Sequence, residues 1–252
     1  MAIKYESGAE MWARLNCKVP LESPNFRFFP GSNFVPGKIY EICGFGNIGK
    51  SIVIYSILSK ILSDKCDGGL AMGAIFIDND MKFDVIKMTR FLENVCNRSG
   101  SDVELVVKRA LRRLQYMTCE DSEDFLSTLS SIEEKMSLSS SKFPGKRKKL
   151  VDDLQIQEPI ILVVDSISAF YAFDRYDEQK DEDDYEQLNR IHKMYAQRLK
   201  QIASNFNMII LTTQLTLELD VTENDQDSSK INQQFYSPMQ YIWKEAMTQK
   251  LV

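Results

Sequence analysis

The chain has 252 residues and a mass of 29.0 kDa, with 44% hydrophobic residues, enough to bury a sizeable core as one α/β domain with peripheral segments. A net charge of −5 and a pI near 5.2 exclude binding to nucleic acid by bulk charge, so any such contact must be local or supplied by a partner. The cysteines, at 17, 43, 66, 96 and 119, are odd in number and form no Cys-x-x-Cys pair, which indicates neither a disulfide framework nor a zinc site. No apolar run reaches the roughly 20 residues that span a bilayer, and the N-terminus lacks the apolar core of a signal peptide. The composition reads as a soluble intracellular protein without a membrane partner.

In chain order, Ser7 to Leu15 has the spacing of a short amphipathic helix with Met11, Trp12 and Leu15 on one side. Pro20, Pro24, Pro30 and Pro36 then break regular structure, and Phe26, Phe28 and Phe29 lie between them, to pack on the core or to dock into a neighbour. Residues 1–37 are therefore read as an N-terminal helix and aromatic linker, and residues 38–252 as the core. Lys38 to Cys43 predicts a strand, and Ser51 to Leu62 an apolar helix. Between them Gly44-Phe45-Gly46-Asn47-Ile48-Gly49-Lys50-Ser51 matches the phosphate-binding pattern G-x-x-x-x-G-K-[ST]. In such a loop the glycines let backbone N–H groups curl round a phosphate, Lys50 reaches the outer phosphates and Ser51 holds Mg²⁺. The alternative is a glycine-rich strand-to-helix turn without a ligand, with the bulky Phe45 and Ile48 among the glycines.

Gly68-Gly69 marks a turn, and Ala74 to Asp78 a buried strand ending in acids. Phe83 to Val95 and Val103 to Leu114 have helical spacing, Leu114 to Thr118 reads as a short strand, and Ser122 to Met136 as an amphipathic helix. Residues 137–157 change character, Ser-rich and then basic at Lys146-Arg147-Lys148-Lys149, and read as a flexible insertion. Ile160 to Asp165 is an apolar strand closed by a carboxylate, the form of the second half of a P-loop ATPase site, where that acid holds the Mg²⁺ shell through water. Asp174 to Glu186 is strongly acidic, a loop or a helix start, and a long helix follows to about Asn205. His192 lies on it and is expected at the surface or edge; no nucleophile motif accompanies it, so a catalytic triad is excluded. Met208 to Thr213 is the next core strand, ending at Gln214. Leu217 to Tyr236 is polar and reads as a long loop, and order returns around Trp243.

Taken in order, several stretches resemble the RecA-like recombinases, and among them the eukaryotic paralogues of the strand-exchange recombinase. They are Glu6 to Glu10 with Ala13-Arg14-Leu15, the phosphate loop, Gly68-Gly69-Leu70, Phe76-Ile77-Asp78-Asn79-Asp80 with Phe83-Asp84, Val164 to Tyr171 with Asp174-Arg175, and Thr212-Thr213-Gln214. The resemblance implies a RecA-type α/β core, a mixed and mainly parallel sheet flanked by helices, with no separate N-terminal helical domain and with further strands after Val252. It implies that Lys50 and Ser51 bind ATP and Mg²⁺, that Asp165 is the strand-end acid, and that Gln214 senses the γ-phosphate. At the position of the family's catalytic glutamate stands Asp80, one methylene shorter, so slow hydrolysis or none is expected.

The segments matching the family's DNA-facing loops, Asp174 to Glu186 and Leu217 to Tyr236, are mostly acidic, so single-stranded DNA is expected to be met mainly through a complex. No phenylalanine is followed by alanine in a Phe-x-x-Ala polymerisation segment, which predicts hetero-oligomers with other paralogues rather than self-built filaments. The functional expectation is an ATP-binding accessory subunit of a paralogue complex in homologous-recombination repair, assisting recombinase filaments in the nucleus. The alternative is a structural subunit with a vestigial nucleotide site. A P-loop small-molecule kinase is a third reading, for which no acceptor-binding arginine cluster appears.

Overall fold

Successive side chains of a strand point to opposite faces of its sheet, and in the apolar runs of this chain both sets are hydrophobic, which requires a sheet covered on both sides. The computed structural model describes residues 34–45, 48–96, 102–140, 159–177, 184–219, 234–239 and 241–251. Its strands are β1 (Ile39–Phe45), β2 (Gly73–Asp78), β3 (Leu114–Thr118), β4 (Pro159–Asp165), β5 (Ile209–Leu219), β6 (Gln234–Tyr236) and β7 (Gln249–Leu251). Six of them run parallel in the order β3-β2-β4-β5-β1-β7, and β6 pairs antiparallel with the far end of β5. This is the expected mixed, mainly parallel α/β sheet of a RecA-like core.

The helices are α1 (Lys50–Leu62), α2 (Val85–Cys96), α3 (Val103–Arg112), α4 (Ser122–Ser140), α5 (Tyr171–Asp177), α6 (Asp184–Phe206) and α7 (Tyr241–Ala246). Tyr40, Ile42, Phe76, Val163 and Leu211 pack on one face with α1, α2 and α3. Ile39, Ile77, Leu162, Val164 and Ile210 pack on the other beneath α4, α6 and α7. Asp78 and Asp165 continue the alternation of the first set, whereas Glu41 and Gln214 continue that of the second.

One buried cation ties two helices of the first face, α1 and α3, together. Arg113, just past α3, donates from Nη1 to the Leu62 carbonyl at the end of α1 (2.6 Å) and from Nη2 to Asp64 Oδ1 (2.5 Å). Asp64 is also met by Arg109 at 2.9 Å. The chain doubles back there so tightly that a Cβ on Gly69 would lie 2.2 Å from the Ser63 carbonyl oxygen, so glycine is required.

Four expectations change. Helix α2 begins at Val85 rather than Phe83, because the Asp78 carboxylate accepts from the N–H groups of Lys82 and Phe83 and the Tyr55 hydroxyl from that of Asp84. Helix α4 runs to Ser140, into the segment expected to be flexible from 137. The stretch expected to be a loop from Leu217 instead continues β5 to Leu219, and Gln234–Tyr236 pairs with it. His192 is not a surface residue: it is 1% exposed, ring-stacked with Tyr171 and packed beside Tyr195 at 6.2 Å between centroids. The helix expected at 7–15, Phe26, Phe28, Phe29 and the basic run 146–149 lie outside the described residues. No helix among the described residues is long and apolar enough to cross a membrane.

Burial pushes the His192 imidazole down to about 4. In the unfolded chain it takes up a proton near its ordinary 6.5, so its neutral form stabilises the fold fully above that pH, and this stability is lost as the pH falls towards 4. Urea unfolding should therefore show wild type losing on the order of 3 kcal/mol more than His192→Leu between pH 7 and pH 4.

Candidate functional site

Parallel strands present their carboxyl ends together, and ligands of open α/β sheets bind there. β1 delivers Gly44 to that end, beside Leu215 of β5, and α1 departs from it at Lys50. Gly49, at φ 97°, makes the left-handed step into the helix that a side chain would oppose. A Cβ on Gly44 would lie 1.8 Å from Ile48 Cδ1, so Ile48 folds back over the start of the loop. The Lys50 ammonium crosses the loop and donates to the Gly44 carbonyl at 2.8 Å. Burial holds its pKa below the ordinary lysine value, against the opposing pull of the nearby Asp165 carboxylate. Gly46, Asn47 and the Phe45 side chain lie outside the described residues.

β4 separates from β1 by the single strand β5, and Asp165 at its end pairs in register with Asp78 of β2. Asp165 accepts a hydrogen bond from the Thr213 hydroxyl of β5. Burial raises its pKa, and the neighbouring Asp80 and Asp78 push in the same direction against the Thr213 hydroxyl. Asp80 is drawn onto the same strand end: its backbone N–H donates to the Asp165 carbonyl at 3.3 Å and its Oδ1 accepts from Ser166 Oγ at 3.5 Å. Its other oxygen pairs with Lys82 at 3.3 Å. Asp78, though also acidic, is turned inward and saturated by Lys82 N, Phe83 N and the Tyr116 hydroxyl.

These groups suit the expected ligands. Lys50 and the first N–H groups of α1 are the groups that could hold a polyphosphate, and Ser51 and Asp165 carry the kind of oxygen ligand that a hard divalent cation prefers. At the end of β2, Asn79 donates to the Ser166 carbonyl at 3.1 Å, while its buried Oδ1 has no donor among the described residues and can accept from a bound water or ligand.

Gln214 takes a different course. It pairs in register with Cys43, one residue short of the loop, but its side chain points into the α6 and α7 face and is 1% exposed. A carboxylate only accepts, so the amide nitrogen faces Glu41, 3.1 Å from each of its oxygens. The amide oxygen then accepts from Ser237 Oγ at 2.6 Å and Met239 N at 3.1 Å. Glu41 is fully buried and also accepts from the Trp243 indole at 2.6 Å. Burial raises its pKa, against the Trp243 hydrogen bond and the charges of Lys250 and Lys244. The sequence carries one signal for this group, an acid inside the apolar strand Ile39-Tyr40-Glu41-Ile42-Cys43, which by itself marks only a strand residue.

No family model matches the chain. It is 31% identical to the mouse DNA repair protein XRCC2 over 174 residues, covering 68% of this chain and 55% of that protein. A homologue of XRCC2 from Arabidopsis thaliana is 22% identical, across 98% of this chain and 76% of its own length. The DNA repair protein RAD51 homolog 3 of Cricetulus griseus is 23% identical, across 73% of this chain and 47% of that protein. The chain thus spans about half the length of the mouse and Cricetulus relatives.

The two neighbouring acids should separate by mutation. Asp78→Ala leaves two backbone N–H groups and a phenol without their acceptor and is expected to cost about 2–4 kcal/mol in denaturant unfolding. Asp80→Ala removes a partly exposed ion pair and should cost under about 1 kcal/mol.

Proposed function

The chain belongs to the RecA-like paralogues of the strand-exchange recombinase, and from that premise we propose that it is an ATP-binding accessory subunit of a paralogue complex in homologous-recombination repair. The observation that carries nucleotide binding is the Lys50 ammonium reaching across the loop to the Gly44 carbonyl, with Asp165 close enough to act on its charge. On binding, Lys50 would exchange that carbonyl for phosphate oxygens, replacing one charge-assisted hydrogen bond by bonds to an anionic acceptor. Mg²⁺, when bound, supplies charge neutralisation at the outer phosphates; Ser51 would ligate it directly and Asp165 through water. DNA is met mainly within the complex, the chain does not polymerise on itself, and the site of action is the nucleus.

Little turnover belongs to this reading. Asp80 is a methylene shorter than glutamate, withdrawing its carboxylate by about 1 Å, and misplacement of that size can lower a rate by roughly a hundredfold. Its oxygens are also engaged by Lys82 and Ser166. The crowding of Ile48 over Gly44 favours the second reading, a structural subunit whose nucleotide site is vestigial.

Calorimetric titration with Mg·ATP separates the two. Lys50→Ala is expected to weaken binding at least about tenfold, and wild type that binds no nucleotide would leave the structural reading standing. Steady-state hydrolysis by wild type should be slow, and Asp80→Glu is expected to raise it. Turnover by wild type matching that of an active recombinase would refute the accessory role.

A further inference from the structure

The alternation of side chains in β5 sends Thr213 and Gln214 to opposite faces of the sheet. Thr213 reaches Asp165 on the face that α1 covers, and Gln214 enters the face covered by α6 and α7. The Gln214 amide has no polar capacity left there: its nitrogen faces the Glu41 carboxylate, and its oxygen takes two donors from Ser237 and Met239. Glu41 in turn is fixed by the Trp243 indole, so the three side chains hold β1, the middle of β5, the turn after β6 and helix α7 to one another.

We propose that Glu41 is a positioning residue that latches the Gln214 amide onto the buried Ser237–Met239 turn, so that the chain holds a nucleoside triphosphate without reading its terminal phosphate through Gln214. The proposal rests on the nucleotide-binding reading. It departs from the sensor role that the resemblance gives to Gln214. To approach a phosphate, the amide would leave a carboxylate acceptor and strand the Met239 N–H inside the core. A buried donor left without its partner costs about 1–3 kcal/mol, and the retained hydrogen bond to Glu41 is of the charge-assisted kind when that carboxyl is ionised.

The Met239 backbone N–H reports the latch, because Gln214 is its acceptor. Its hydrogen exchange is measured by NMR on the full chain with Mg²⁺ and either ADP or the slowly hydrolysed analogue ATPγS. Chemical-shift changes at the Gly49 and Lys50 amides report binding independently. In wild type, Met239 exchange is expected to agree within about twofold between the two nucleotides, and Glu41→Leu is expected to speed it about tenfold more with ATPγS than with ADP. Glu41→Gln keeps an acceptor oxygen for the amide and is expected to behave as wild type.

Exchange at Met239 that quickens in wild type only with ATPγS would overturn the latch while leaving nucleotide binding intact. Equal acceleration under both nucleotides in Glu41→Leu would reduce Glu41 to a structural role and also overturn it. Should Glu41→Leu fail to fold, the wild-type comparison decides by itself. Loop amides that respond to neither nucleotide would refute the nucleotide site, and the latch with it.

Discussion

Both faces of the sheet are apolar, and this constraint decides where each polar group of the site can stand. A carboxylate in the middle of such a strand must be desolvated at a cost of several kcal/mol or supplied with donors, while one at the strand end can reach loops and solvent. Asp165 and Asp80 take the second position, and Gly44 and Lys50 meet at the same edge. Glu41 takes the first and is provided for by Trp243 and Gln214. The site is thus a consequence of the sheet's burial: its charges collect where the hydrophobic layers stop.

The electrostatics of that edge pull in one direction. Lys50 is held below its ordinary pKa and Asp165 above its own, each because desolvation disfavours its charge. Asp165 favours the charged form of Lys50 and Lys82 that of Asp165, but neither outweighs burial. A pair of this kind favours the arrival of compensating charge, negative beside the lysine and positive beside the acids. Lys82 already provides part of the second by pairing with Asp80. Asp80 meets both Lys82 and Ser166, which ties it to its own turn.

The sequence disclosed the sheet well because its signals are local and periodic. Ile160 to Asp165 and Ala74 to Asp78 are unbroken apolar runs of strand length, and the helix from Lys50 follows its glycine loop directly. The boundary errors came from side chains acting on distant backbone. Nothing near Phe83 announces that Asp78 and Tyr55 will take the N–H groups that would have begun a helix there. His192 was misplaced because a polar residue on a long amphipathic helix reads as surface, while its burial depends on Tyr171 arriving from another segment. Gln214 shows the limit most sharply. Its place on β5 was legible, though the strand runs on to Leu219, and its direction follows from Glu41 and from Met239, residues far apart in the chain.

β5 serves two structures at once. Its first half lies between β1 and β4 in the parallel sheet, and its last residues form the antiparallel pair with β6. A strand locked on both sides cannot slide by one residue, since that would exchange the faces of Thr213 and Gln214 and bury the wrong groups. A slide of two would preserve the faces but would have to re-form both ladders in a shifted register. The antiparallel pair of β5 and β6 is therefore anchored by the parallel sheet it grows from, and it has no stroke along its own axis.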